Sequence, residues 1–264
     1  MIFSDETLFG SPTPMLEELR RLTDEIGRSL RVVVYLRRQD DHLVSRYQQN
    51  VKVGEIRRLA DRTMHLDLSS TYDYAERLAR LERVLEPTEL VVRRLERSAF
   101  RRGSLFDDFL EAAGVELPVG DLEVSEEFNI SLAAESVEFL RLLNLRRVHS
   151  EGARVGVMDN RELVRRLAEA GSGPTLTLPD ADLDEFMERW REGNDQVARR
   201  HFGAADGVLF REPRRTTGTI AEQRLDPARL DHFLEVSEVP EELHTPLRIL
   251  AEQEAGPGRG PVTN

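Results

Sequence analysis

Leu30-Arg31-Val32-Val33-Val34-Tyr35-Leu36, then Arg37-Arg38-Gln39-Asp40-Asp41, then His42-Leu43-Val44-Ser45-Arg46-Tyr47-Gln48-Gln49-Asn50-Val51: this is the stretch whose reading decides the fold. Its first part is an unbroken β-branched and aromatic run without polar alternation, which is how a strand reads when helices cover both faces of a parallel sheet. After Leu36 the period changes. Leu43, Val44, Tyr47 and Val51 recur at helical spacing, and Asp40 or Asp41 can accept the free N–H groups of a first turn. The unit is strand, charged turn, helix.

Open α/β sheets bind ligands beyond the carboxyl ends of their strands, where the N–H groups and dipole of the following helix favour an anion. Arg37 leaves the strand at that place. Ser45 follows eight residues later in the second turn of the helix, from where its hydroxyl can point back toward the same anion. Arginine suits phosphate because its planar fork donates two parallel charge-assisted bonds.

The Arg37 and Ser45 pair resembles the 3′-phosphate-binding segment of the PAPS-dependent sulfotransferase family, in particular its bacterial members. There a strand ends in Arg, and a Ser eight residues on shares the 3′-phosphate of the sulfuryl donor. Gln39 departs from the family, many of whose members carry proline at that place. Ile2-Phe3-Ser4-Asp5-Glu6 is similar to the short strand ahead of this unit. Leu90 to Arg97, Asp107 to Leu110 and Asn129 to Leu132 are similar to later blocks, so the resemblance spans roughly Met1 to Phe210.

The resemblance implies an α/β fold: a partial parallel sheet with flanking helices, the P-loop-NTPase-like sulfotransferase core in N-terminally truncated form, plus a helical C-terminal region. It implies PAPS as donor substrate, Arg37 and Ser45 as its binding residues, and Glu6 as the catalytic base that takes the acceptor's proton. A carboxylate can do this if partial burial raises its pKa; the bland alternative for Glu6 is a capping or solvent-exposed acid. The acceptor is a hydroxyl or amine of a small molecule, with carbohydrate the first guess by resemblance alone.

Family members carry, ahead of this point, a further strand and a Gly-Thr-rich loop that cradles the 5′-phosphosulfate, and neither is found in this sequence. Either the start lies too late, or the chain is a non-catalytic homologue that keeps a nucleotide- or partner-binding fold. Loss of that strand is expected to leave Val32 to Leu36 unpaired along one edge.

Composition narrows the alternatives. A chain of 264 residues, 39% hydrophobic and 33% charged, is long enough for one large domain, or for one domain with a helical extension. A net charge of -12 argues against nucleic-acid partners. No apolar run is long enough to span a membrane and no signal peptide is evident, so the expected compartment is the cytoplasm. The absence of cysteine excludes disulfides, thiol nucleophiles and thiolate metal sites, and Lys52 is the only lysine. The six histidines show no ligand spacing, and no metal site is expected.

Along the rest of the chain, Met15 to Ile26 reads as a helix with Leu16, Leu19, Leu22 and Ile26 on one face. Arg57, Arg58, Arg62 and His65 could contact a polar acceptor or belong to a solvated face. Tyr74 to Leu85 reads as a helix with Tyr74, Leu78, Leu81 and Leu85 inward, and Glu89 to Arg93 as the next strand. Arg93, Arg94, Arg97, Arg101 and Arg102 form the densest positive cluster, read either as a lure for an anionic ligand or as a surface patch balanced by neighbouring acids.

Ser104 to Ala113 reads as a helix closed by Gly114, with Phe106, Phe109 and Leu110 on the sheet. From about residue 118 the pattern is helical, with one long helix expected over Asp180 to His201 and Trp190 as a packing anchor. The expected organisation is a sulfotransferase-like core over residues 1–117, a helical extension over 118–253 and a disordered tail over 254–264.

Overall fold

The computed structural model describes residues 2–5, 7–61, 69–116, 131–171 and 173–254. In chain order its principal elements begin with α1 (Thr13–Glu25), β1 (Arg31–Leu36), α2 (Gln39–Lys52), α3 (Tyr74–Leu85), β2 (Glu89–Arg94) and α4 (Leu105–Ala113). Then come α5 (Ala134–Glu151), α6 (Arg161–Ala170), β3 (Thr175–Leu176), α7 (Asp180–Glu188), α8 (Arg191–Phe202), β4 (Thr219–Ile220), α9 (Leu230–Val236) and α10 (His244–Glu254). The coarse class is α/β, helix-rich with small parallel sheets.

The chain forms two compact units, each assembled from three segments. The first comprises Met1–Gln39, Asp67–Ser125 and Asp184–Arg214, and the second Asp40–Leu66, Glu126–Leu183 and Arg215–Asn264.

In the first unit β1 and β2 pair in parallel, with Arg31 opposite Glu89 and Leu36 opposite Arg94. Burial along β1 alternates: Val32, Val34 and Leu36 are buried, while Val33 and Tyr35 are half-buried. The expectation of two fully covered faces is corrected here, since one face carries the core and the other holds Tyr35 against the polar side chains of α4. Beneath the covered face lie Leu16 of α1, Tyr74, Leu78, Leu81 and Leu85 of α3, and Val197 of α8. α3 turns the expected residues inward and also buries Arg77, which donates to the Phe9 carbonyl at 2.9 Å and stacks over the Phe9 ring.

Three expectations in this unit are corrected. Ile2 to Asp5 is not a strand, and Ile2 and Phe3 are exposed; among the described residues β1 has β2 as its only strand neighbour. Leu22 of α1 and Ile26, just past its end, are exposed rather than inward. In α4 the buried residues are Asp108 and Ala112, and Phe106 faces outward, because Asp108 is drawn in by the Tyr35 hydroxyl.

The expected single helix over Asp180 to His201 is instead α7 and α8, separated at Arg189 and Trp190. There Trp190 turns onto Tyr72 and Phe186, its ring centroid about 6 Å from each. Aromatic pairs at such spacing contribute roughly 0.5–1.5 kcal/mol beyond their area, enough to favour a step in the helix.

The second unit is organised around α5, which is buried on nearly every side from Ala134 to Asn144. α9 and α10 pack on it, with Phe139 and Phe233 stacked at 5.4 Å. Val137, Leu140 and Leu143 recur at helical spacing and are buried; Glu138, Arg141 and Asn144 are buried too. This unit also corrects the wholly helical expectation: β3 and β4 form a two-residue parallel pair, and Ala133 bridges to Thr175.

Candidate functional site

The carboxyl ends of β1 and β2 form the edge at which a parallel sheet offers a ligand site. The ladder runs one step past the strands, with the Leu95 N–H donating to the Leu36 carbonyl at 2.8 Å. Arg37 therefore emerges beside Leu95, and Arg38 beside Glu96.

These neighbours differ in how their side chains are used. Arg38 donates to the Glu212 carbonyl at 3.1 Å. Arg37 is half-buried, its carbonyl accepts from the Tyr74 hydroxyl at 2.7 Å, and no hydrogen bond or ion pair among the described residues engages its guanidinium. Gln39, at the first position of α2, is fully buried in a reciprocal amide pair with Asn194, at 2.6 and 3.2 Å. Gln39 is thereby held to Asn194 at the turn after β1.

Ser45 lies half-buried in the second turn of α2. Arg37 belongs to the first unit and Ser45 to the second. The first turn of α2 carries Asp40 and Asp41, and the Asp40 carboxylate accepts the Asp41 N–H at 2.9 Å. These acids offset the positive end of the helix dipole, so attraction for an anion at this edge rests on arginine more than on the helix terminus. Glu6 lies outside the described residues, as do Arg62 and His65.

On the β2 side, Glu96 is buried and one carboxylate oxygen accepts the N–H groups of Arg211 and Glu212 at 2.6 and 2.8 Å. The Glu212 carboxylate in turn accepts the Ser98 N–H at 2.6 Å, which holds it below the usual carboxylate range. The segment around Glu212 is thereby tied to the ends of both strands. Nothing in the sequence marks this clamp, because its partners lie 116 residues apart.

Two members of the arginine cluster, Arg93 and Arg101, meet acids, and a third stacks on a ring. Arg93 approaches Asp108 at 3.9 Å and Glu111 at 3.8 Å, Arg101 pairs with Glu111 at 3.0 Å, and Arg94 stacks over Phe202. Asp108 also accepts from the Tyr35 hydroxyl at 2.6 Å. Burial, then the bond to Asp108, pushes the Tyr35 phenol above its ordinary range.

The second unit holds a different concentration of charge. Arg141 makes two 2.7 Å bonds to Glu138, another to Glu254, and donates to the Ile56 carbonyl at 2.8 Å. Burial opposes its charge, but Glu138 more than restores it. Gln223 donates to Glu138 at 2.9 Å and to the Tyr47 hydroxyl at 2.6 Å, and Asn144 donates to the carbonyls of Val51 and Glu55. Arg57 is bound by Glu55, and Arg58 donates to the Glu254 carbonyl. These arginines, read in the sequence as possible acceptor contacts, are used within the unit to hold the turn after α2. The spacing of three between Glu138, Arg141 and Asn144 was the available signal for a polar stripe on a buried helix.

Among the described residues no group of three or more His, Asp or Glu is placed to hold a metal ion, and no helix is long and apolar enough to cross a membrane. No family model matches the chain, and no solved structure matches it. It is similar to an uncharacterized protein of Archaeoglobus fulgidus, 29% identical over 189 residues that cover 70% of this chain and 49% of the relative. The chain thus spans about half the length of the curated relative it matches.

Proposed function

We propose that the carboxyl edge of β1 binds the 3′-phosphate of PAPS, and that the chain is a sulfotransferase-like protein transferring the sulfuryl group to a hydroxyl or amine acceptor. The observation that carries this reading is Arg37: a half-buried residue just past the end of a core strand, its guanidinium without a partner among the described residues, beside an Arg38 that has one. A guanidinium that no acid neutralises keeps its donors available to a phosphate, to which it can give two parallel charge-assisted bonds. The resemblance assigns Ser45, eight residues on in the sequence, to the same phosphate.

Sulfuryl transfer builds negative charge on the bridging oxygen of the leaving phosphate and requires a base for the acceptor's proton. In this reading the donor is held through Arg37, Glu6 takes that proton, and the acceptor is a small molecule, carbohydrate first.

The test is thermal unfolding with and without adenosine 3′,5′-bisphosphate. A ligand at about a hundred times its dissociation constant stabilises by roughly 2.7 kcal/mol. Arg37→Ala is expected to abolish the shift, and Ser45→Ala to weaken binding by the roughly 1.5–3 kcal/mol of a hydrogen bond to a charged group, which leaves about 0.3–1.3 kcal/mol of the shift at the same ligand concentration. No shift in the intact folded protein overturns the proposal. Transfer from radiolabelled PAPS to a carbohydrate panel then separates an enzyme from a nucleotide-binding homologue.

A further inference from the structure

The end of α2 and the turn ahead of α6 enclose a cleft that no step of the proposed transfer uses. The Val53 carbonyl accepts the N–H groups of Gly156 and Met158 at 2.9 and 3.2 Å, which pins that turn against the end of α2. Gly54 has a φ of +113°, and a Cβ there would meet the Met158 side chain at 3.0 Å, so glycine is what lets Met158 lie so close. Val157, between the two bonded residues, is left 71% exposed.

The cleft has a volume of about 440 Å³ and lies wholly within the second unit. Val53, Val157, Met158 and Val164 supply its apolar wall, and Lys52, Asp159 and Arg161 its charges. Small-molecule sites are built this way, mostly apolar with a few polar groups that fix orientation, and this one is at the small end of their range. Asp159 is committed to Arg161, accepting its backbone N–H at 3.2 Å and its guanidinium at 3.0 and 2.7 Å. Those bonds hold the Asp159 carboxyl at about 2. Lys52 is half-buried, and burial pushes its amine below the ordinary lysine value. The other strongly basic residues of the chain are all arginine, so its single compact ammonium stands on this wall.

We propose that this cleft binds a small aliphatic monocarboxylate, with its hydrocarbon body against the valines and Met158 and its carboxylate at the Lys52 ammonium. The sign of the ligand follows from the lining, which among the described residues carries two cations and one anion. Its single charge follows from Asp159, which repels a second negative charge placed beside it. The hydrocarbon body follows from Val53 and Val157, whose exposed surface it removes from water. An anion close to a partly desolvated ammonium also favours its charged form.

Because the chain has one lysine, labelling of the intact protein with trinitrobenzenesulfonate, read by mass spectrometry of the Lys52 peptide, reports on the site directly. Hexanoate at constant ionic strength is expected to slow this labelling saturably, about tenfold at roughly ten times its dissociation constant. Acetate, which lacks the body, and hexylammonium, which has the wrong charge, are expected not to protect. Val157→Glu should remove the protection with the thermal midpoint unchanged, since that side chain is exposed, and Arg37→Ala should leave it intact, which separates this site from the strand edge.

Saturation-transfer NMR on hexanoate gives a second reading that needs no label, with a signal in the natural chain that is lost in Lys52→Met. Labelling that hexanoate leaves unchanged overturns the proposal, as does equal protection by acetate. A hexanoate signal that survives both Lys52→Met and Val157→Glu overturns it as well.

Discussion

Arg37 in the first unit is half-buried and Arg141 in the second is buried, and their guanidiniums are treated in opposite ways. Arg141 is buried with its hydrogen-bonding capacity spent on Glu138, Glu254 and the Ile56 carbonyl. Arg37 is half-buried, and no bond among the described residues engages its side chain. A buried charge costs several kcal/mol unless it is matched, so the bonds of Arg141 mark it as part of the scaffold, whereas the Arg37 side chain is not tied into it by any bond among the described residues. The number of arginines in a region therefore says little about function. What each donates to is the informative quantity.

The comparison breaks most visibly at Arg141. Arg141→Ala removes the closest counter-charge of the buried Glu138, leaving it Gln223 and an Arg58 at 3.6 Å, and is expected to cost about 3–5 kcal/mol in denaturant unfolding. A loss under 1 kcal/mol would mean that the network is wetter and looser than its geometry implies. Next in size is Leu36→Ala, which removes a buried side chain at the end of β1 and should cost about 2–4 kcal/mol without touching the second unit's network.

Alkaline pH probes the same contrast. Burial is the main cause that raises the Tyr47 phenol above its ordinary value of 10.0, and the Tyr35 phenol is raised as well. A group whose folded pKa is raised contributes stability that is complete below the unfolded pKa and is lost as pH climbs through the folded one. Stability should therefore hold up to about pH 10 and fall above it, and Tyr47→Phe should flatten that fall in pH-dependent unfolding curves.

Glu86 closes α3 with a left-handed φ of 42°. Glu86→Gly is expected to raise stability by about 0.5–1 kcal/mol, because glycine reaches that conformation without steric cost. The smallest change sharpens the comparison most. Arg37→Ala should alter stability by no more than about 0.5 kcal/mol while removing the stabilisation by adenosine 3′,5′-bisphosphate. A large loss of stability without ligand would make Arg37 a structural residue like Arg141.

Much of the fold is legible along the chain. The run from Val32 to Leu36 and the change of period after it mark β1 and α2, and Tyr74, Leu78, Leu81 and Leu85 mark α3, because side-chain direction is set by local backbone geometry. The same periodicity misleads in α1. Leu22 and Ile26 share the spacing of buried residues, but spacing defines a face without naming what covers it. In α5 the polar side of an apparently amphipathic helix is buried, because Glu138, Arg141 and Asn144 satisfy one another and nearby carbonyls rather than water.

The candidate site divides in the same way. Its location was readable, since a strand followed at once by arginine and then by a helix places that arginine at a carboxyl edge. The sequence by itself determined the strand, the helices and the identities of the groups at that edge, since these depend on near neighbours. Only the tertiary structure decided that Arg38 is bound, that Glu96 gathers the Glu212 segment, and that Arg37 is left without a partner among the described residues. Hydrogen-bond partners come from distant parts of the chain, and no local pattern encodes which donor meets which acceptor.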